Sequence, residues 1–592
     1  MPRNATKAPS PPGNTLELAT PMPGNMIPAP SRSRPHQRSA DGRFKPRTLP
    51  NGTRNIDGRS AMRQSKWAAP GWFQEGMPPG VHSPAAPRRS LGTVAGALCL
   101  MIGLMAPLLG ACSMEPGPTA LPTQTDVFDS AWGTWEIYAS DWRGFDGALP
   151  PALQGATEYR IEIAVSENLE RIQGSQRLRY THRDDEPATE IFLRLFPNIA
   201  GGELVITNIT VDGEPVEPVL EAQGSSLRVP LQTPLRRGDA SELALDFELE
   251  IPRTMAGNYG LFGYFEGVLV LDTFYPMVPV FEEGRWHAKL PAPKGDLTFN
   301  DASFYLVRVH APEALVLVGS GVEIERDTID GKQVVTYAAG PARDFYLAAS
   351  PDFRVWSAME SDVQVNSYAP EEREARARQA LEIGAAALRS FERHFGPYPY
   401  REMDLAATPM KALGIEYPGM MGIAQSLYDP EAWIRNLPSA VYFESTVAHE
   451  VAHQWFYNLV GNDQSAEPWL DEAMAQYATY LYFLDTYGEQ AAEDYWRSWE
   501  ERWGRVDRAD IPIGLPAAAY EGAAYGAIVY GRGPLFLQEL REAIGEQVFA
   551  EFLHRYTAEH AWRIATAESF KLLAEETCQC DLTSLFEAWV WH

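Results

Sequence analysis

Residues 449–473 read HEVAHQWFYNLVGNDQSAEPWLDEA and are the most informative part of the chain. The stretch begins with two histidines four positions apart, His449 and His453, and it ends in Trp-Leu-Asp-Glu-Ala, whose glutamate is Glu472. Side chains at positions i and i+4 lie on one face of a helix. A helix through this stretch would therefore direct both imidazoles toward a common point.

Two imidazoles and one carboxylate form the donor set of a catalytic metal site. Eighteen residues separate His453 from Glu472, and the pattern around Glu472 predicts that it lies on the next helix. Zinc accepts these donors and, in catalytic sites, leaves a fourth position open for water. We therefore predict one Zn²⁺ per chain, bound by His449, His453 and Glu472. Glu450 follows the first ligand directly, where a base for the attacking water is needed.

The same motif, His-Glu-x-x-His with a glutamate eighteen residues later, is similar to that of the gluzincin zinc aminopeptidases. That family includes alanyl aminopeptidases and leukotriene hydrolases. Residues 458–460, Asn-Leu-Val, and residues 476–477, Gln-Tyr, extend the similarity, which covers roughly residues 155–592. The resemblance implies a zinc-dependent aminopeptidase with Glu450 as general base and peptides with a free amino terminus as substrates.

Upstream, Leu-Gly-Ile-Glu-Tyr at residues 413–417 lies where that family has its Gly-x-Met-Glu-Asn loop. By this resemblance Gly414 and Glu416 contact the substrate, and Glu416 binds its free α-amine, which directs cleavage to the first peptide bond. Ile415 replaces the methionine of the family pattern and Tyr417 replaces the asparagine. Because Glu416 keeps the glutamate of the family pattern, the resemblance implies exopeptidase action.

Downstream, Val-Tyr-Gly-Arg-Gly at residues 529–533 is similar to the family's Tyr-x-Lys-Gly segment. The tyrosine of that segment stabilises the oxyanion of the tetrahedral intermediate, a role that suits a preorganised hydroxyl donor. Arg532 stands where lysine is usual, and both side chains are cationic. From the residues alone Tyr520 and Tyr525 compete with Tyr530 for this role, and the Gly-Arg-Gly context favours Tyr530.

Residues 156–352 have the pattern of an all-β, sandwich-like domain. Apolar and polar residues alternate over residues 243–251 and again over residues 159–165, which is typical of half-buried strands. Gly/Asp turn signals separate such strands at residues 211–213, 237–239 and 330–331. Regularly spaced short strands predict a sandwich or an open antiparallel sheet.

Residues 353–592 have a different pattern, in which helices dominate. Residues 371–395 are predicted to form one long helix with apolar residues every fourth position, ended by Gly396-Pro397. Residues 400–428 resemble a short strand pair around a Gly/Pro-rich loop, and helices follow from Ala440. This α-rich part is the predicted catalytic domain, which by the family resemblance is thermolysin-like.

Larger relatives continue into a helical domain that closes over the site. Residues 581–589 resemble the end of the catalytic domain, so the resemblance implies a short form without that helical domain. A more open cleft, with less restriction on substrate length, is the corresponding expectation.

Residues 1–90 contain 14 Lys/Arg and only 4 Asp/Glu, with many Pro, Ser and Gly, which predicts a disordered leader. Residues 91–111 are uncharged and apolar and follow Arg88 and Arg89, which is the layout of a secretory signal. The run ends in Leu-Gly-Ala-Cys at residues 109–112, which resembles the lipobox of bacterial lipoproteins.

We therefore predict an exported bacterial lipoprotein on the periplasmic or cell-surface face, attached to the membrane by a lipid on Cys112, with residues 112–155 as a linker. The alternative is a single membrane-spanning helix, since about 20 apolar residues suffice to cross a bilayer. The lipoprotein interpretation places the translation start at Met77 and makes residues 1–76 an over-extension of the gene.

The exported part is strongly acidic. Removing the 14 basic and 4 acidic leader residues from totals of 50 and 78 leaves 36 and 74, a formal charge of −38. This balance argues against nucleic acid as a partner, because phosphate binding needs a basic surface. Cys578 and Cys580 form a Cys-Gln-Cys sequence that would be able to pair in an oxidising compartment, and no second cysteine pair lies nearby to complete a metal site.

Two alternatives to an aminopeptidase stay open on the sequence. An endopeptidase on the same fold applies if Glu416 does not reach the substrate amine, and a non-catalytic binding protein would retain only the fold. Glu444, Asp471 and Gln476 are near enough in sequence to orient the histidines. An ordinary solvated side chain explains each of these three equally well, so they are left outside the predicted site.

Overall fold

The computed structural model describes residues 126–255, 258–291, 295 and 298–592, which belong to one compact unit, Glu115–His592. The predicted leader, the apolar signal and Cys112 lie outside the described residues. In the ranges that the structure describes, no helix has both the length and the apolar character needed to cross a membrane.

Strands occupy most of the first half of the described chain. In chain order they are β1 (Glu158–Val165), β2 (Arg171–Thr181), β3 (Ala188–Arg194), β4 (Glu203–Val211), β5 (Glu214–Pro215), β6 (Val219–Glu221), β7 (Ser226–Leu235), β8 (Ala240–Glu250), β9 (Phe262–Phe265), β10 (Val268–Leu271), β11 (Phe281–Glu282), β12 (Arg285–Trp286), β13 (Ser303–Pro312), β14 (Val316–Gly319), β15 (Val322–Ile329), β16 (Lys332–Ala342) and β17 (Leu347–Ser350). An eight-stranded sheet has the order β15-β16-β13-β1-β2-β8-β4-β5, and smaller sheets have the orders β14-β17-β10-β9, β3-β7-β6 and β11-β12.

The alternation seen in the sequence sets which face of these strands is buried. In β8 every second residue from Leu243 to Leu249 is buried, and the residues between them are partly or fully exposed. Tyr159 of β1 lies opposite Leu178 of β2 and opposite Tyr305 of β13. The inward faces of the sheets share one hydrophobic core. The prediction of a sheet-rich amino-terminal region is confirmed, and its exact boundaries stay a prediction.

A second, five-stranded sheet carries the helices of the carboxyl-terminal part. Its strands are β18 (Phe353–Glu360), β19 (Val363–Pro370), β20 (Glu402–Thr408), β21 (Gly414–Tyr417) and β22 (Met420–Ala424), in the order β18-β19-β20-β22-β21. The expected strand pair over residues 400–428 is present as β21 and β22, which pair around Pro418-Gly419. The expectation was incomplete, because β20 and two earlier strands join this pair in one sheet. Strands β20 and β22 are buried on both faces, so they lack the alternation by which separate strands are recognised. A two-residue hairpin, β23 (Trp433–Ile434) and β24 (Leu437–Pro438), follows.

Helices dominate after the second sheet. The α-helices are α1 (Pro197–Ala200), α2 (Glu374–Phe395), α3 (Gln425–Tyr428), α4 (Ala440–Ala452), α5 (Trp469–Tyr487), α6 (Glu489–Gly504), α7 (Ala524–Ala527), α8 (Gly533–Ile544), α9 (Glu546–Glu559), α10 (Ala567–Cys578) and α11 (Thr583–Phe586). The predicted helix over residues 371–395 is α2 preceded by a 3₁₀ turn, Glu371–Arg373. Two π-helical turns, Ile528–Arg532 and Glu587–Trp591, continue α7 and α11. Cys578 and Cys580 form a disulfide at the end of α10.

The loop that follows α4 is fixed by one buried arginine. Arg343, at the end of the sheet-rich region, donates hydrogen bonds to the backbone carbonyls of Tyr457 and Asn458 at 2.6 and 2.9 Å. Burial lowers the pKa of this guanidinium to about 10. Backbone carbonyls satisfy its donors, so the arginine binds the sheet-rich region to the loop just beyond His453.

Candidate active site

The two predicted histidine ligands lie at the end of α4. His449 is in the last turn of the helix and His453 is its C-terminal cap, so the rings are one helical turn apart. Their Nε2 atoms are 3.2 Å apart. The histidines are 9% and 1% exposed, which places this pair of nitrogens in the interior rather than on the helix surface.

Glu472 reaches the same point from the first turn of α5. Its Oε2 lies 3.2 Å from Nε2 of His449 and 3.6 Å from Nε2 of His453. Ligand atoms bound tetrahedrally to zinc at about 2.0 to 2.1 Å are separated from one another by about 3.3 Å. The three measured separations match those edges, so this donor set fits one zinc ion.

The polar groups behind the two rings differ. Nδ1 of His453 lies 2.8 Å from the carbonyl oxygen of Phe456 and donates to it, which leaves the lone pair of Nε2 for a metal. Nδ1 of His449 lies 3.3 Å from Nε2 of Gln476. Gln476 thus contacts a predicted ligand, although the sequence alone did not separate it from a solvated side chain.

The other two side chains considered from the sequence are engaged elsewhere. Glu444 accepts a hydrogen bond from the hydroxyl of Tyr482 at 2.7 Å, and Asp471 accepts one from the backbone N–H of Glu472 at 2.6 Å. Asp471 therefore contacts the backbone at the start of α5.

The buried charges of the site compensate one another. Burial alone would lower the pKa of His453, but the carboxylates of Glu416 and Glu472 raise it well above its usual value. Burial would likewise raise the pKa of Glu472, and hydrogen bonds from His449 and His453 outweigh it and lower the pKa. For His449, burial dominates and lowers the pKa. A divalent cation bound by the same atoms would balance these carboxylates in place of a proton.

Glu450 lies between the ligands and the edge strand β21. Its side chain is buried, and a Cβ atom built on Gly414 would lie 2.3 Å from its Oε1. Because no side chain fits there, glycine is required where the strand passes the carboxylate. Carboxylate oxygens of Glu416 and Glu450 and a ring nitrogen of His453 all lie within 4.8 Å of one another.

The strand β21 therefore brings both predicted substrate-contacting residues, Gly414 and Glu416, to the metal-binding centre. Gln464, in the loop between α4 and α5, approaches the carboxylate of Glu416, with 3.4 Å between Nε2 and Oε1. The sequence analysis missed Gln464, because a glutamine in an irregular loop has no periodic or motif signal.

Tyr530 lies in the π-helical turn Ile528–Arg532, and its hydroxyl donates a hydrogen bond to Oε1 of Glu472. Its ring centroid is 6.1 Å from that of His449. The ring of Tyr525 meets that of Tyr530 edge to face, with 5.9 Å between the centroids, and the hydroxyl of Tyr520 donates to the backbone carbonyl of Ile513 at 2.7 Å. The hydroxyl of Tyr530, the tyrosine that the sequence favours, thus contacts a predicted ligand.

Arg532, which replaces the usual lysine of the similar family segment, points away from the ligands. It pairs with Asp510 and donates to the backbone carbonyls of Ile511 and of Ala588, the latter at 3.1 Å. Arg532 therefore holds the carboxyl-terminal π-helical turn, Glu587–Trp591, against the turn that contains Tyr530.

Comparison with known proteins agrees with this geometry. The profile of the Peptidase family M1 domain matches residues 379–589. Similar curated proteins include Aminopeptidase 2 of Candida albicans, 24% identical over 405 residues, which are 65% of this chain and 42% of that protein. Aminopeptidase M1 of Arabidopsis thaliana is 27% identical over 304 residues, 48% of this chain and 33% of its own length. The chain thus spans less than half the length of these relatives.

Solved structures extend the likeness to the whole fold. The M1 zinc metallopeptidase of Deinococcus radiodurans superposes with a TM-score of 0.55 at 21% identity, covering 74% of this chain and 94% of that one. A mutant of that protein bound to a Tyr-Ser-Ala substrate gives the same TM-score at 20% identity. This likeness confirms the predicted fold, a sheet-rich region followed by a helical catalytic domain. The profile match shows a Peptidase family M1 domain over residues 379–589, and the solved structures show that the fold is that of the M1 zinc metallopeptidases.

Proposed function

We propose that this protein is a zinc-dependent aminopeptidase that removes residues from the amino terminus of peptides. The observation that carries the proposal is that three ligand atoms fit the edges of a zinc tetrahedron while two further carboxylates, Glu416 and Glu450, lie at the same buried centre. The names of the relatives, which are aminopeptidases, support the same activity.

The ligand set supplies the electrophile, and Glu450 supplies the base. Zinc held by His449, His453 and Glu472 would act as a Lewis acid on the scissile carbonyl and lower the pKa of a water. Glu450 accepts a proton from the attacking water and returns it to the leaving amine. Its position against Gly414 places that exchange beside the edge strand, along which an extended peptide can add as a further strand.

Tyr530 donates to the oxyanion that forms during attack. Its hydroxyl already points into the centre, where it donates to Oε1 of Glu472, so it needs only to exchange one acceptor for another. Such a preorganised donor stabilises the transition state more than the ground state.

Glu416 supplies the selectivity for a free amino terminus. A buried carboxylate beside His453 and Glu450 is stabilised by a cationic partner, and the α-ammonium of a peptide provides one. An acetylated amino terminus carries no charge and would leave that carboxylate without this partner. The short distance from Glu416 to the base then directs attack to the first peptide bond.

The test compares one peptide in free and N-acetylated form, each with and without a metal chelator. Hydrolysis of the free peptide that stops with chelator and is lost on acetylation supports the proposal. Equal hydrolysis of both forms would contradict the aminopeptidase assignment and favour an endopeptidase. In Glu416→Gln, we expect the preference for the free peptide to fall, because the amide offers no charge to the ammonium.

We further propose that the protein is exported and attached to a membrane through a lipid on Cys112. The basic pair before residues 91–111, the absence of charge in that run and the Leu-Gly-Ala-Cys ending support this location. Intact mass and incorporation of labelled palmitate test it. A lipidated mature chain that begins at Cys112 supports the proposal, and a mature chain that begins earlier or carries no lipid refutes it.

A further inference from the structure

The hairpin of β23 and β24 exposes apolar side chains at the amino-terminal end of α4. Trp433 of β23 is 71% exposed, the largest exposed fraction of any large hydrophobic side chain that the structure describes. Leu437 of β24 is 44% exposed, and Val441, in the first turn of α4, is 56% exposed. Grouped exposed apolar residues are typical of interaction sites, whereas single ones are ordinary. These three residues are called the hairpin surface below.

The hairpin has a fixed place in the fold. The backbone N–H of Ser439 donates to the carbonyl of Ala432 at 2.9 Å, and the hydroxyl of Ser439 donates to the carbonyl of Asp429 at 2.6 Å. Ile434, inside the hairpin, packs against the main hydrophobic core. Because Ser439 directly precedes α4, these contacts hold the hairpin at the start of the helix that carries the metal ligands.

One side of α4 leads from the metal centre to this hairpin. Tyr442 and Ser445 precede His449 by seven and four residues, so they share its face of the helix. Both are partly exposed, whereas Phe443, which points into the core, is fully buried. At 1.5 Å per residue, the helix between His449 and Val441 is about 12 Å long. The hairpin surface therefore lies at the far end of the face that bears the first ligand.

The direction of a bound peptide follows from two contacts of β21. Gly414 lies against the carboxylate of Glu450, and three residues later the carbonyl of Tyr417 accepts a hydrogen bond from the side chain of Gln454 at 2.9 Å. Strand β21 and helix α4 therefore run past the centre in the same direction. A peptide with its amino group at Glu416 and its first bond beside the base runs opposite to β21. Its later residues then pass the start of β21 toward the start of α4.

The distance sets which residues of the peptide reach the hairpin. Strand β21 is the last strand of its five-stranded sheet, so an extended peptide can add along its outer edge. Such a chain advances about 3.3 Å per residue, so 12 Å corresponds to about four residues. Counted from the first peptide bond, these four residues bring about the fifth and sixth residues of the substrate to the hairpin surface.

We propose that the hairpin surface, Trp433, Leu437 and Val441, binds apolar side chains at about the fifth and sixth residues of a peptide substrate. This inference rests on the proposed aminopeptidase function, because the binding of the amine at Glu416 gives the peptide its direction. Contact with apolar side chains removes the exposed ring of Trp433 from water, which favours binding. The chain after residue 111 is strongly acidic, so an anionic lipid surface fits this site less well than an uncharged stretch of peptide.

The experiment compares two eight-residue peptides that differ only in residues five and six, which are leucine in one and serine in the other. For the wild type we expect kcat/KM to be about 10-fold higher for the leucine peptide, since burial of apolar side chains contributes this much to affinity. In the double variant Trp433→Ser/Leu437→Ser, both peptides should be hydrolysed like the serine peptide. The same variant should match the wild type on an aminoacyl fluorogenic amide, which is too short to reach the hairpin.

The matched control is Leu220→Ser. Leu220 is 58% exposed in β6, in the sheet-rich region, and does not belong to the hairpin surface. This variant should keep the wild-type preference for the leucine peptide. A double variant that loses as much activity on the short amide as on the leucine peptide would overturn the proposal.

Binding is measured separately from hydrolysis with fluorescent analogues of both peptides in which the first peptide bond is reduced to CH2–NH. By fluorescence anisotropy, the wild type should bind the leucine analogue about 10-fold more tightly than the serine analogue, and the double variant should bind both equally. Equal affinities of the wild type for the two analogues would overturn the proposal. If sedimentation then shows a wild-type dimer that the double variant dissociates, the surface belongs to a second copy of the chain.

The two readouts distinguish the failure of this inference from the failure of the proposed function. If the wild type hydrolyses neither peptide nor the amide, the proposed function fails, and the affinities for the two analogues still decide what the hairpin surface binds. If the wild type hydrolyses both peptides equally well and binds both analogues equally, the function stands and the inference about the hairpin is wrong.

Discussion

Gly414 of β21 and Glu450 of α4 are so close that a Cβ atom on the glycine would lie 2.3 Å from the Oε1 atom of the glutamate. The contact joins the edge strand of the second sheet to the helix that carries two metal ligands. It sets the distance between the base and the strand along which we propose that the substrate lies.

Gly414→Ala should therefore displace the base without removing any ligand. We expect kcat to fall at least about 10-fold, because a displacement of a catalytic group by about 1 Å can cost about 100-fold in rate. Zinc content should stay at the wild-type value. Gly504→Ala is the matched control, since a Cβ atom at that position meets open space. Wild-type kcat in Gly414→Ala would show that the contact does not constrain the base.

Glu450→Gln should keep the metal and lose turnover. The amide has nearly the same shape as the carboxylate but cannot accept a proton, so we expect kcat to fall by about 10²- to 10⁴-fold. Zinc content by atomic absorption should be unchanged. Glu444→Gln, in the same helix, keeps an acceptor for Tyr482 and should show the wild-type rate. Unchanged turnover in Glu450→Gln would overturn its assignment as the base.

Tyr530→Phe removes the hydroxyl that contacts Glu472 and leaves the ring. We expect kcat to fall by about 10²- to 10³-fold, as on removal of one oxyanion donor, with little change in KM or zinc content. Tyr525→Phe provides the comparison, since the ring of Tyr525 contacts that of Tyr530 edge to face. A larger loss of kcat in Tyr525→Phe than in Tyr530→Phe would indicate that Tyr525, rather than Tyr530, donates to the oxyanion.

The pKa of Glu402, in the second sheet, predicts how the free energy of unfolding depends on pH. Burial, with a contribution from Glu323, raises the pKa of this carboxyl to about 7 from its ordinary value of 4.5. The folded state then binds more protons than the unfolded state between these values. The contribution of this group to the free energy of unfolding is therefore complete below about pH 4.5 and is lost as pH rises through 7. The loss amounts to roughly 1 to 3 kcal/mol.

Thermal unfolding at pH 5 and pH 8 measures this effect. The melting temperature of the wild type should fall over that interval, and Glu402→Gln should flatten the dependence while it keeps an acceptor for Gln364. An identical pH dependence in the wild type and in the variant would show that Glu402 titrates normally in the folded protein.

The metal ligands were predictable because their geometry is local. Two histidines one turn apart on a helix share a face whatever surrounds them, and Glu472 begins the next helix. The alternation of apolar and polar residues in β8 predicted a strand for the same reason, because it too depends only on neighbouring positions. The roles of Gly414 and Glu416 came only from the family resemblance, because their approach to the ligands depends on the pairing of an edge strand.

Other contacts left no signal in the sequence. Gln464 reaches Glu416 from an irregular loop. Arg502 of α6 donates to Oε1 of Gln476 at 2.6 Å, and the pattern of that helix shows only an amphipathic face. The strand β20 was not separated from its neighbours, because burial on both faces removes the alternation of period two from β20 and β22. Such features depend on packing between segments far apart in the chain.

The most direct test of the three metal ligands is the zinc content of purified wild-type protein and of Glu472→Ala. Hydrolysis of an aminoacyl amide is measured on the same preparations, before and after chelation. We expect one zinc per wild-type chain, loss of activity with chelator and recovery on adding zinc, and neither metal nor activity in Glu472→Ala. A wild-type preparation that stays fully active when every divalent metal has been removed, or a Glu472→Ala variant that keeps its zinc, would contradict a centre built from His449, His453 and Glu472.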